Sequence, residues 1–186
     1  MNCLHKQFSD IDISALRFIH NNRIKQLDDF LYYFSFITTF VSISILTIVL
    51  FLAVKNKSSA LRMNFFKLLS VLVLSAIIST SLKYFFERSR PFETYPDIEK
   101  LSEGGGSSFP SGHTIEAFSV AFTISALFRK RKYIVLIYLW ALLIAYSRMA
   151  LGVHYPFDVI GGIFTGSLIS FLTLKMFDLK MWKEAK

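Results

Sequence analysis

Lys83, Arg90, His113, Arg148, His154 and Asp158 stand out in this sequence because they are ionisable residues set among long apolar runs. Ionisable side chains in bilayer-type sequence are costly and usually functional. They fall in three short polar clusters: Lys83-Tyr84-Phe85-Phe86-Glu87-Arg88-Ser89-Arg90-Pro91, Pro110-Ser111-Gly112-His113, and Ser147-Arg148 followed by His154 and Asp158. Cations, two imidazoles, a carboxylate, a serine and a glycine form the inventory needed to hold a phosphate and pass it to a nitrogen nucleophile.

Taken singly, each cluster has a bland reading beside the chemical one. Lys83 and Arg90 lie two helical turns apart on one face and can address a single site, with Pro91 ending the helix. They can equally be interface anchors that snorkel towards water. In Pro110-Ser111-Gly112-His113, proline suits a first helical turn, and serine with glycine leaves backbone N–H groups open to an anion. The plain alternative is a helix cap with a chance histidine. Glu116, one turn on, either orients His113 or faces interfacial water, and water is the preferred partner. His154 and Asp158 are spaced i, i+4, so on a helix the carboxylate can accept a hydrogen bond from Nδ1–H, fix the tautomer and leave the other ring nitrogen as a nucleophile. A structural His–Asp pair, or a metal site shared with His113, are the competing readings. The surrounding cations disfavour the metal.

Jointly the clusters say more. In sequence order, Lys83–x6–Arg90–Pro91, Pro110–Ser111–Gly112–His113 and Ser147–Arg148–x5–His154–x3–Asp158 resemble the tripartite motif of the type 2 phosphatidic acid phosphatase superfamily, and the surrounding runs are similar to those of its small bacterial lipid phosphatases. The resemblance implies a metal-independent and cofactor-free membrane phosphatase. It makes His154 the nucleophile that forms a phosphohistidine, with Asp158 holding its ring. It makes His113 the acid for the leaving group and the base for water. Lys83, Arg90, Arg148, Ser111 and the Gly112 amide would bind the non-bridging oxygens. The implied partner is a lipid phosphate or diphosphate: undecaprenyl diphosphate first, then phosphatidylglycerol phosphate, phosphatidic acid or lipid A. A phosphotransferase using the same intermediate is the alternative, and a lipid-phosphate binder or transporter, which needs neither His154 nor Asp158, is a third.

The elements that must position these groups are membrane helices. Of 186 residues, 53% are hydrophobic and only 18% charged, with a mean hydropathy of +0.47. Apolar runs at 30–54, 65–86, 114–128, 133–147 and 157–177 predict an all-α polytopic bundle of about five spans in a single domain, residues 1–186. Those at 114–128 and 133–147 are short for a bilayer and call for protein neighbours. Ile11, Leu16, Phe18 and Ile19 predict an N-terminal interfacial helix, and the first 29 residues lack the pattern of a signal peptide. The stretch 87–112, with Gly104, Gly105 and Gly106, predicts a mobile polar loop over the second span. Cys3 alone allows no intrachain disulfide.

The net charge of +8 is spread over short clusters between apolar runs, a pattern that speaks against nucleic acid. Segments 55–67, 129–132 and the tail from 175 each hold four Lys or Arg, twelve of the chain's 21. The positive-inside rule makes these segments cytoplasmic. All three chemical clusters then fall on the periplasmic or exoplasmic side of what is expected to be a bacterial inner membrane.

Overall fold

In the computed structural model, which describes residues 3–184, every long apolar run is helical and no strand occurs among the described residues. The order is α1 (Cys3–Asn21), a 3-10 turn (Lys25–Leu27), α2 (Asp28–Phe36), α3 (Thr38–Lys55), α4 (Ser59–Phe86), the one-turn α5 (Pro91–Thr94), α6 (Gly112–Phe128), α7 (Arg131–Ala150) and α8 (Pro156–Glu184). Four helical stretches are long and apolar enough to cross a membrane: Thr38–Lys55, the one that begins at Ser59, Arg131–Ala150 and Pro156–Leu179. Gly112–Phe128 is a shorter apolar helix. It tolerates its length because α3, α4, α7 and α8 all pack against it and bury Ile115, Ala117, Val120 and Ala121.

Successive helices alternate in direction, so chain ends sort by chemistry. The C-terminal ends of α3, α6 and α8 and the starts of α4 and α7 share one end of the bundle with the basic segments. There Lys67 Nζ donates to Asp178 Oδ1 at 2.7 Å, tying α4 to α8. The three polar clusters, with α1, α2 and α5, gather at the other end.

Small residues let α8 approach α6. A Cβ on Gly166 would stand 2.4 Å from Ile115 O, and one on Gly162 would stand 2.9 Å from Ser111 O. The seam is stitched by Ser119 Oγ donating to Gly166 O at 3.2 Å and by Ser170 Oγ donating to Ser119 O at 3.0 Å. Ser75 Oγ and Ser119 Oγ, 2.8 Å apart, tie α4 to α6, the small-residue and hydroxyl packing expected between membrane helices. Gly166→Ala is therefore expected to cost about 1–3 kcal/mol through overpacking. A lowered melting temperature in detergent checks it; an unchanged one means the seam is loose.

One sequence expectation changes and a second gains detail. The run 30–54 is not one helix but breaks at Ile37. Thr38 Oγ1 donates to Ser35 O and Ser35 Oγ donates to Tyr32 O, hydroxyl contacts that compete with the helical ladder. The break leaves Ser35 fully buried and facing α7. The N-terminal helix exists, but its buried face is Asp12, Ile13, Leu16 and His20, whereas Ile11 and Phe18 are 53% and 71% exposed. That face rests on protein: His20 Nδ1 lies 2.9 Å from Ala150 O, and Arg17 pairs with Asp97 at 2.7 Å. The helix is thus a cover over the polar end of the bundle.

Candidate active site

Each cluster reaches the site from a helix terminus. Lys83 sits in the last turn of α4, which ends on Glu87 in the left-handed region at φ 43°. The chain then turns through Arg88 to Arg90, the residue before Pro91 and α5, and Arg90 N donates to Glu93 Oε2 at 2.9 Å in a capping box. Ser111 precedes α6 and accepts the Ile115 amide, so the amides of Gly112, His113 and Thr114 have no intrahelical partner. Arg148 lies in the last turn of α7.

His154 is not on a helix. Pro156 opens α8, so His154 stands in the preceding turn, its amide donating to Arg148 O at 3.2 Å. Asp158 reaches back from the first turn of α8 to accept the Tyr155 amide at 2.9 Å, a helix-starting contact. The expected pairing survives as a contact of 3.5 Å between His154 Nδ1 and Asp158 Oδ2. Asp158 is fully buried; Ser108 Oγ also donates to its Oδ2, and Arg88 donates to its Oδ1 at 2.7 Å.

A cavity of about 850 Å³ collects Lys83, Arg90, Gly112, His113, Arg148 and His154 on one wall. Its remaining wall runs down between α3, α4 and α6, past Ile43, Leu72 and Ala76. His154 Nε2 lies 3.5 Å from Arg90, which is 4% exposed. Ser111 is placed differently from the other expected phosphate ligands. Its side chain is buried, accepts from Thr114 Oγ1 at 2.9 Å and does not line the cavity, while its amide donates to Asp158 O at 3.1 Å. Glu116 lines the cavity and accepts from Thr39 Oγ1 on α3 at 2.9 Å.

The electrostatics favour an anion. Arg90 donates to the carbonyls of Gly105, Gly106 and Val153; Arg148 donates to Ser35 Oγ, Ser102 Oγ and Glu103 O; Lys83 donates to Ser107 O. These partners are neutral. Among the described residues none of the three cations forms a salt bridge, so their charge is not cancelled. Arg148 Nε, buried, has no hydrogen-bond partner there at all. The glycine stretch of the expected polar loop is thus the neutral lining of a cation ring, and a Cβ on Gly104 would stand 2.8 Å from Arg90. His154 is held down to about 4, first by burial and then by Arg90 and Arg148, with Asp158 pulling the other way. At neutral pH the ring is uncharged, the state a nucleophile requires.

Sequence reasoning passed over Arg88, Ser108, Tyr155 and Asp12, all of which bear on Asp158. Arg88 stacks on the Tyr155 ring at 3.9 Å and spans Asp158 and Asp12.

The model of the PAP2 superfamily, the type 2 phosphatidic acid phosphatases, matches residues 64–182. The chain belongs to the PAP2 superfamily. Among curated PAP2-like relatives, the lipid A 4'-phosphatase of Porphyromonas gingivalis is 34% identical over 81% of this chain and 66% of its own length. The undecaprenyl-diphosphatase BcrC of Bacillus subtilis is 36% identical over 58% of this chain and 53% of its own. The chain thus spans less than two thirds of the length of these two relatives. Among solved structures, Aquifex aeolicus LpxE superposes with a TM-score of 0.75 at 29% identity, covering 89% of this chain and 95% of that one. The fold is also that of a transmembrane PAP2-type phosphatidylglycerolphosphate phosphatase from Bacillus subtilis, with a TM-score of 0.75 at 24% identity.

Proposed function

We propose that this PAP2 protein hydrolyses the terminal phosphate or diphosphate of a membrane lipid through a phosphohistidine at His154, on the exoplasmic face. The observation that carries the reading is the cavity itself: a wall of imidazoles and of cations that form no salt bridge among the described residues, joined to a wall of aliphatic and hydroxyl residues that runs down between α3, α4 and α6. A head group can meet the cations while its tails stay in hydrocarbon.

The steps follow from the geometry. His154 Nε2 attacks phosphorus and the bond from phosphorus to the lipid oxygen breaks. His113, across the same cavity, is held down to about 3 by burial and by Arg148, Lys83 and Arg90. A bound phosphate offsets those cations and raises its proton affinity, and the protonated ring gives its proton to that oxygen. It then takes a proton from water, which attacks the phosphohistidine and frees inorganic phosphate together with His154. Throughout, Asp158 keeps the Nδ1 side occupied and so fixes which nitrogen attacks. Lys83, Arg90, Arg148 and the Gly112 amide face the charge that spreads over the equatorial oxygens, the stabilisation that magnesium supplies elsewhere.

The exoplasmic placement rests on the basic segments at the opposite end of the bundle. Relatives named for lipid A and for undecaprenyl diphosphate support a bacterial envelope lipid as substrate. The test is inorganic phosphate released by purified protein from lipid A, undecaprenyl diphosphate, phosphatidylglycerol phosphate and phosphatidic acid, with chelator present and no added acceptor. Release from at least one lipid is expected. Loss of release with chelator would remove the metal-free mechanism, and release only after adding an acceptor would make the protein a transferase.

A further inference from the structure

Asp12 is buried to 1% exposure on α1, far in sequence from every cluster discussed above. Its Oδ2 accepts from one arm of Arg88 at 2.6 Å, and its Oδ1 accepts the amide of Phe157, in the first turn of α8, at 2.9 Å. The other arm of Arg88 donates to Asp158 Oδ1 at 2.7 Å, and the guanidinium carbon lies over the Tyr155 ring, 3.9 Å from its centroid. Asp158 Oδ2, turned the other way, faces His154. The result is an unbroken chain of contacts, Asp12–Arg88–Asp158–His154. Burial, with a smaller push from the Asp158 charge, raises the Asp12 carboxyl above its ordinary range; Arg88 and the Phe157 amide act against that push.

This arrangement separates Arg88 from its neighbours. Lys83, Arg90 and Arg148 line the cavity with neutral partners, whereas Arg88 is bracketed by two carboxylates and lies outside the cavity wall. Its charge is spent on Asp158, not offered to substrate. A guanidinium held on both arms cannot swing, so it decides which carboxylate oxygen is left for the imidazole.

We propose that Asp12 is a positioning residue for phosphoryl transfer: acting through Arg88, it sets the orientation and charge of Asp158 and thereby the readiness of His154 to attack. The cover helix α1, which lies outside the matched residues 64–182, then belongs to the catalytic apparatus. The inference rests on the reading of His154 as nucleophile.

The experiment compares Asp12→Asn, Arg88→Met and the double variant in purified full-length protein. It measures kcat, KM and the pH dependence of phosphoenzyme formation trapped by rapid quench. Asp12→Asn is expected to lower kcat about 10-fold with KM nearly unchanged, the low end of the loss typical of outer-shell partners, because Arg88 and Asp158 stand between it and His154. Removing a negative charge beside the chain lowers the affinity of His154 for a proton, so the acid limb moves to lower pH. Arg88→Met leaves the bond from Asp12 to the Phe157 amide in place and must also lower kcat. The double variant is expected to be no worse than Arg88→Met alone, because Asp12 acts only through Arg88.

A wild-type kcat and pH profile in Asp12→Asn overturns the proposal, as do losses that add in the double variant. Should Asp12→Asn not fold, Arg88→Met carries the test alone: unchanged kcat in that variant overturns it. Failure of the underlying reading looks different, since His154→Ala would then keep its turnover whatever Asp12 does.

Discussion

His154→Ala is expected to abolish phosphate release, by about 10,000-fold or more, while the protein stays folded in detergent. The loss is that large because the imidazole forms the covalent bond itself; no other side chain described at the cavity offers an uncharged nitrogen held against a carboxylate. The ring is only 2% exposed and its neighbours are fixed by other contacts, so alanine leaves a small cavity without unpairing the cations. The same geometry sets the pH dependence. Because His154 is depressed to about 4, it is neutral and nucleophilic at any higher pH. The rate of phosphoenzyme formation should therefore show no acid limb at the ordinary imidazole value near 6.5, but one about two units lower. Rapid-quench trapping of acid-labile, base-stable phosphoprotein measures both. Residual turnover near the parent rate in His154→Ala, or a limb at the ordinary value, contradicts the assignment.

How much of this was legible before the structure depends on what kind of signal carried it. The helices were, because apolar runs of bilayer length leave the backbone no other way to satisfy its hydrogen bonds. So was the gathering of Lys83, Arg90, His113, Arg148 and His154 at one end, since all three clusters sit at helix termini that alternate in direction. The break at Ile37 was hidden because residues 30–54 read as one run. Only the two hydroxyl contacts of Ser35 and Thr38 show why the helix yields there. Asp12 was hidden for a different reason. On α1 the positions 12, 16 and 20 lie on one face, and a carboxylate beside Leu16 on that face was a usable sign. It was masked by reading Ile11 and Phe18 as the apolar stripe. The partners of Asp158 were beyond sequence altogether: Arg88, Ser108 and the Tyr155 amide converge only after three chain segments fold together.

Arg148 carries the sharpest conflict between stability and function, and its substitution tests that conflict. The side chain is 2% exposed, its three donated bonds go to neutral oxygens, and Nε has no partner among the described residues. A buried guanidinium without a carboxylate is a poor arrangement for folding, since its desolvation is not offset by an ion pair. Arg148→Met is therefore expected to keep or raise the melting temperature of the unliganded protein. Of the oxygens it leaves behind, Glu103 lines the cavity and can be hydrated, and Ser35 Oγ keeps its bond to Tyr32 O. Turnover should fall about 100- to 1,000-fold, the loss seen when one preorganised donor to a developing anion is removed. Arg148→Lys keeps the charge but not the fork and should recover only part of that activity. Added inorganic phosphate should raise the melting temperature of the parent by mass action and do so less in Arg148→Met. Thermal denaturation in detergent with and without phosphate, beside steady-state turnover, reads all of these. A variant that melts well below the parent would make Arg148 a structural residue, and one with full turnover would take it out of the phosphate site.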